Sequence, residues 1–298
     1  MDKVPAAISV GQGQRTFKYL LIAPAILLLL LIGLYPFIKL LVVSFQNITM
    51  FDDIRTFQGF IHYQRLFEDA RLWESLLHTV LFTIVALPIE LVLGYLLALL
   101  FLQKLPFKQF LVATILLPTV IAPIVAGSTW RLMLDQRFGP INQIISWLAG
   151  GEVKLLWTVD PLLVWPAILI AEIWQWTPFM FLILLAALSN VDQEQLEAAE
   201  IDGASRWMTF RKIILPAIAP VMFIAVLIRA LDLFRVFDVI WTMTQGGPGT
   251  RTETISIYAY QTAFREFEIS YSAAIAFLVI FLLTIVVVAA LRRVEVAR

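Results

Sequence analysis

Four charged residues recur at every third position inside one apolar stretch of this chain: Arg229, Asp232, Arg235 and Asp238. On a helix, successive i,i+3 neighbours advance by about 300°, so the four drift slowly around one face while alternating in sign. Charges at membrane depth pair with one another or meet a polar solute; they do not by themselves make a catalytic site. The spacing predicts an ion-pair ladder lining the outer mouth of a path, with Arg235 and Asp238 contacting or gating what passes. For Arg229 and Asp232, direct contact and structural neutralisation against Glu90 or Glu172 stand as equal alternatives. A desolvated ladder would strand a charge on losing one rung, at roughly 3–5 kcal/mol, so Asp232→Ala is expected to damage assembly. Glu90, beside Pro88, reads first as half of a buried ion pair. Glu172 opens a second polar group within an apolar run, followed by Trp174, Gln175, Trp176 and Thr177.

The other constellation is the long polar interruption EAAEIDGASRWMTFRKIILP, Glu197 to Pro216. Asp192 is placed as an N-cap with Gln195 three residues on, which predicts a short helix from Gln193 to Asp202 stopped by Gly203 in the left-handed conformation. Ser205 can cap a second helix, which carries Arg206, Arg211 and Lys212 before turning apolar at Ile213, the pattern of an inner-face segment re-entering a bilayer. Ala198, Ala199, Gly203 and Ala204 leave the elbow slim enough to enter a groove on another protein, where Glu197, Glu200 and Asp202 can meet basic groups. On residues alone, a solvated amphipathic connector is an equal reading.

These groups sit in a chain that is 60% hydrophobic and 15% charged, with a mean hydropathy of +0.86, against about half and about a quarter for soluble domains. It reads as an all-α integral membrane protein. Apolar runs predict six transmembrane helices at about 19–45, 76–102, 110–134, 162–188, 213–244 and 272–291, with the polar loop, 191–212, between the fourth and fifth. Residues 1–17 read as a polar tail and 18–298 as a single transmembrane domain. Pro118, Pro123 and Gly127 predict kinks in the third span. The basic residues Lys3, Arg15, Lys18, Lys104, Lys108, Arg206, Arg211, Lys212, Arg292, Arg293 and Arg298 fall on one side of this topology, which puts both termini in the cytoplasm.

Several functions have no support. The 22 basic and 22 acidic residues balance, so charge points to no nucleic acid and no acidic ligand. There is no cysteine for a thiolate metal site or disulfide, and His62 and His78 lack a supporting carboxylate pattern. No G-x-x-x-x-G-K-[ST] is present to cradle nucleotide phosphates, and no protease or hydrolase motif lies in a suitable context.

Glu197, Ala198, Ala199, Gly203, Ile213, Leu215 and Pro216 match E-A-A-x3-G-x9-I-x-L-P, and the chain is thereby similar to permease subunits of binding-protein-dependent ABC importers. Gly246-Gly247-Pro248, and the loop's place between the fourth and fifth spans, resemble the carbohydrate-uptake branch and its larger maltose permease subunit. The resemblance implies a type I importer permease-like fold in a bacterial or archaeal plasma membrane. It further implies that Glu197, Ala198, Ala199, Asp202 and Gly203 form a coupling helix seated in a dimer of ATP-binding subunits. A second permease chain, an extracytoplasmic solute-binding protein and a sugar or polyol complete the implied system. ATP and magnesium belong to the partner ATPase, and this chain carries no cofactor. Alignment with the maltose permease's solute-contacting positions falls on Glu172, Gln175, Trp176, Phe234 and Arg235, with charges here where that permease has amides. The rival reading is a stand-alone ion-coupled carrier in which Glu90, Glu172 and the fifth-span charges form a relay. Against it stand the elaborate loop and the lack of a second half.

Overall fold

The computed structural model describes residues 12–49 and 52–296. The expected tail lies outside the described residues up to position 11, and the chain is already helical at Gln12. In order come α1 (Gln12–Leu29), a π-helical turn (Leu30–Leu34), α2 (Tyr35–Ser44), β1 (Gln46–Thr49), β2 (Asp52–Phe57), α3 (Ile61–Glu68) and α4 (Ala70–Leu102). They are followed by α5 (Lys108–Val120), α6 (Pro123–Met133), α7 (Pro140–Ala149), α8 (Val164–Ser189), α9 (Gln193–Ile201) and α10 (Arg206–Thr209). A second π-helical turn (Phe210–Ile214) then leads into α11 (Leu215–Phe234), α12 (Asp238–Met243), α13 (Ile255–Phe264) and α14 (Ile269–Val296).

Among the described residues, five stretches are long and apolar enough to cross a membrane: Tyr19–Ser44, Ala70–Leu102, Val164–Ser189, Arg206–Met243 and Ile269–Arg292. The sixth is broken. Its halves, α5 and α6, meet at 94°, because Pro123 has no N–H with which to continue α5 and instead opens α6 at its first turn. The fifth span is interrupted too, since α11 stops at Phe234 and helix resumes only at Asp238.

The chain divides into two compact units. The first runs through Leu66 and takes in Thr262–Phe277. It contains an antiparallel hairpin, with Gln46 opposite Phe57 and Asn47 opposite Thr56, in the segment that the apolar runs leave between the first two spans. Alternating Ile and Thr positions in these strands favour extended backbone. His62 Nε2 lies 3.0 Å from the Gln46 carbonyl, the Ser270 hydroxyl accepts from the Ile48 N–H at 2.9 Å, and Arg65 pairs with Glu268 at 2.6 Å.

The second unit spans Phe67–Gln261 and resumes at Leu278. Asp69 starts α4 by accepting the Leu72 N–H at 3.1 Å, which sets the helix several residues ahead of the apolar run at Leu76. Arg71 reaches both oxygens of buried Glu253 at 2.8 Å and also Gln261 at 2.9 Å, stapling the 253–261 segment to that end of α4. Further along, α4 lies against α8, and α11 packs on both. Gly94 makes the closest pass, because a Cβ there would sit 2.6 Å from Met180 Cβ and 2.8 Å from the Phe181 nitrogen. Ala86, Ala98, Ala167 and Ala171, all fully buried, keep the same seam narrow. This three-helix seam carries the site.

Candidate functional site

Arg229 on α11, 1% exposed, stands where α4, α8 and α11 converge. Its Nε and Nη2 donate to the two oxygens of Glu90 on α4 at 2.7 and 2.9 Å, a bidentate fork. Nη2 also donates to Glu172 on α8. Both carboxylates are buried, and the guanidinium lies 4.6 Å from the centre of the Trp176 ring. One guanidinium therefore ties three helices together and faces two carboxylates, leaving a formal excess of one negative charge.

The expected ladder is not formed as a run of pairs. Arg229 turns inward to α4 and α8, so among the described residues Asp232 pairs only with Arg235, at 2.6 Å, with side-chain exposures of 29% and 72%. The helix ends at Phe234, so the i,i+3 phase is lost before Asp238, whose carboxylate has no basic partner among the described residues. Asp232 and Arg235 form a surface pair rather than a desolvated one.

Beside the triad opens a cavity of about 330 Å³. Glu172, Trp176, Arg229, Asp232, Arg235 and Asp238 line it, with Pro123, Val236, Phe237 and Val239 closing its apolar side. Two expected positions, Gln175 and Phe234, are not in its wall. Neighbouring helical residues point about 100° apart, so Gln175 cannot share the direction of Trp176. It is fully buried and donates from Nε2 to the Ile121 carbonyl at 2.9 Å, while the Thr119 hydroxyl donates to the Gln175 backbone carbonyl at 3.1 Å. The amide thus holds the break between α5 and α6 and satisfies one of the carbonyls that the break sets free. Val236 and Phe237 carried no signal in the sequence, since apolar residues in an apolar run are not distinctive. Their role follows from the interruption that turns them into the cavity.

The polar loop is built from local capping chemistry. Asp192 accepts from the Glu194 N–H at 3.0 Å to begin α9. The helix ends in a Schellman motif, with Ala204 N–H on the Ala199 carbonyl at 2.9 Å and Gly203 N–H on that of Glu200 at 3.1 Å. Gly203 has φ +72, and a Cβ added there would meet nothing within 4 Å, so backbone conformation rather than crowding requires glycine. The Ser205 hydroxyl accepts from the Met208 N–H at 3.3 Å to cap α10. Glu197, Ala198, Asp202 and Gly203 are exposed, whereas Ala199 is buried. Ile201 is 87% exposed and Trp207 67%, so the elbow presents apolar as well as acidic surface.

Residues 69–295 match the family described as the binding-protein-dependent transport system inner membrane component. The chain belongs to that family. Curated members resemble it over most of their length. The trehalose/maltose transport system permease protein MalF of Thermococcus litoralis is 36% identical over 242 residues, 81% of each chain. The sulfoquinovosyl glycerol transport system permease protein SmoG of Agrobacterium fabrum is 33% identical over 285 residues, 95% of this chain and 91% of that one. Among solved structures, a bacterial ABC transporter that imports the acidic polysaccharide alginate superposes with a TM-score of 0.81 at 22% identity, covering 94% of this chain and 96% of its own. As a binding-protein-dependent transport component, this chain is a multi-pass inner membrane permease of the ABC importer fold, not an enzyme.

Proposed function

We propose that this permease forms, with a second permease chain, the membrane path of an ATP-driven importer for a sugar or polyol handed over by an extracytoplasmic binding protein. The observation that carries the reading is a capped, protruding α9–α10 elbow at one end of the same three-helix seam whose other part holds the charged cavity. In this reading Glu197, Ala198, Asp202 and Gly203 face a dimer of ATP-binding subunits, Ala199 holds α9 onto the permease, and both termini lie in the cytoplasm. ATP and magnesium reside on those subunits. Solute passes Glu172, Trp176, Arg235 and Asp238, while Gln175 shapes the path by fixing the broken span. The names of the trehalose/maltose and sulfoquinovosyl glycerol relatives support a carbohydrate or a glycoside as cargo.

Purification of the tagged chain in mild detergent tests the assembly. The expected result is retention of an ATPase and a second membrane chain, with ATP hydrolysis that rises on adding the solute-loaded binding protein. A chain that purifies alone, and that drives uptake from an ion gradient without nucleotide, would establish the carrier reading instead.

A further inference from the structure

Within the reading of this chain as a sugar permease, we propose that its cavity accepts uncharged, hydroxyl-rich solutes and turns away acidic sugars. Three carboxylates, those of Glu172, Asp232 and Asp238, line the space against two guanidiniums, those of Arg229 and Arg235. Both guanidiniums are already matched. Arg229 is held by Glu90 and Glu172, and Arg235 by Asp232. The carboxylate of Asp238 remains without a compensating cation among the described residues.

An anionic sugar reaching Arg229 would meet a guanidinium whose charge is already shared by the buried carboxylates of Glu90 and Glu172. At Arg235 it would find a guanidinium already paired through Nη2 with Asp232. A sugar hydroxyl meets no such conflict. An unpaired carboxylate is an acceptor, so Asp238 calls for donors, which hydroxyls supply and carboxylates do not. A unit of like charge at about 6 Å, with an effective dielectric near 20, disfavours an anion by about a hundredfold, falling toward tenfold where salt and water reach the site. The contrast is a live one within this fold, which serves both a permease named for trehalose and maltose and an importer of an acidic polysaccharide.

The test uses the assembled importer in nanodiscs, without binding protein, and compares equilibrium binding of trehalose with that of a mannuronate disaccharide prepared from alginate. Trehalose should bind at least about tenfold more tightly, the gap should narrow as ionic strength rises, and Asp238→Asn should shift the affinity ratio toward mannuronate by at least about threefold. Equal or tighter mannuronate binding by the wild type would overturn the proposal and leave the sugar-permease reading standing. So would a ratio unmoved by both salt and Asp238→Asn. Binding of neither disaccharide would remove the sugar reading itself, and this proposal with it.

Discussion

The triad makes an ordered prediction about stability, because its three members are not equivalent. Arg229→Met leaves two buried carboxylates without a counter-charge, the situation for which losses of roughly 3–5 kcal/mol are expected. Glu90→Gln leaves Arg229 opposite one carboxylate, a balanced pair, and weakens a bidentate contact by about 1–2 kcal/mol. Glu172→Gln removes the excess charge while sparing the fork to Glu90, and its effect should be the smallest, about 1 kcal/mol or less. Replacing all three by apolar residues of similar volume should recover most of what Arg229→Met loses. The assay is thermal loss of the monodisperse, detergent-purified complex. At about 2–4 °C per kcal/mol for a chain of this size, Arg229→Met should lower the midpoint by about 6–20 °C. A midpoint for Arg229→Met equal to that of wild type, or Glu172→Gln as the most damaging of the three, would refute the triad as the tie between α4, α8 and α11.

Asp232→Ala, by contrast, removes half of a surface pair and should change stability by less than about 1 kcal/mol; measured in the same thermal assay, a loss approaching that of Arg229→Met would show the pair to be desolvated after all. Gly203→Val forces a β-branched residue into left-handed backbone at a strain of about 1 kcal/mol or more. The variant should assemble but lose binding-protein-stimulated ATP hydrolysis, and wild-type stimulation in a fully assembled variant would dissociate the elbow from coupling. Gln175→Leu leaves the Ile121 carbonyl without its donor, a penalty of about 1–3 kcal/mol. Hydrogen exchange across residues 118–126 should accelerate, and unchanged exchange would mean that the break holds itself.

What was legible in the sequence was chemistry confined to a few neighbouring residues. Asp192, Gly203 and Ser205 announce the ends of α9 and α10 because caps act within one turn, and Pro123 announces a disturbance in the third span for the same reason. The angle of that disturbance was not legible, since it is held by Gln175, 54 positions away along the chain. The ladder failed in the same way. The i,i+3 rule states which charges can meet on one helix, but Arg229 pairs instead with Glu90 and Glu172, the alternative that the sequence left open, at separations of 139 and 57 residues. Once α11 ended at Phe234, the periodicity that placed Asp238 in line no longer applied. The hairpin of 46–57 was hidden by a mixture of aromatic and charged residues that fits loop, helix and strand alike.

The broken span also bears on how the protein is made and kept in the cell. Ile121 and Ala122 are exposed on the described surface; both carbonyls and the Ile121 N–H are bonded within the chain, but the Ala122 N–H has no partner among the described residues, so one backbone donor in the middle of a membrane-crossing segment is left bare when the chain is by itself. Lipid offers that backbone no hydrogen bonds, and only water or another polypeptide can cover it. A copy synthesised without its assembly partners would therefore carry a polar wound at membrane depth, a mark that quality-control proteases can read. Cellular abundance of this chain should accordingly follow the supply of whatever covers the break, rather than the level of its own messenger.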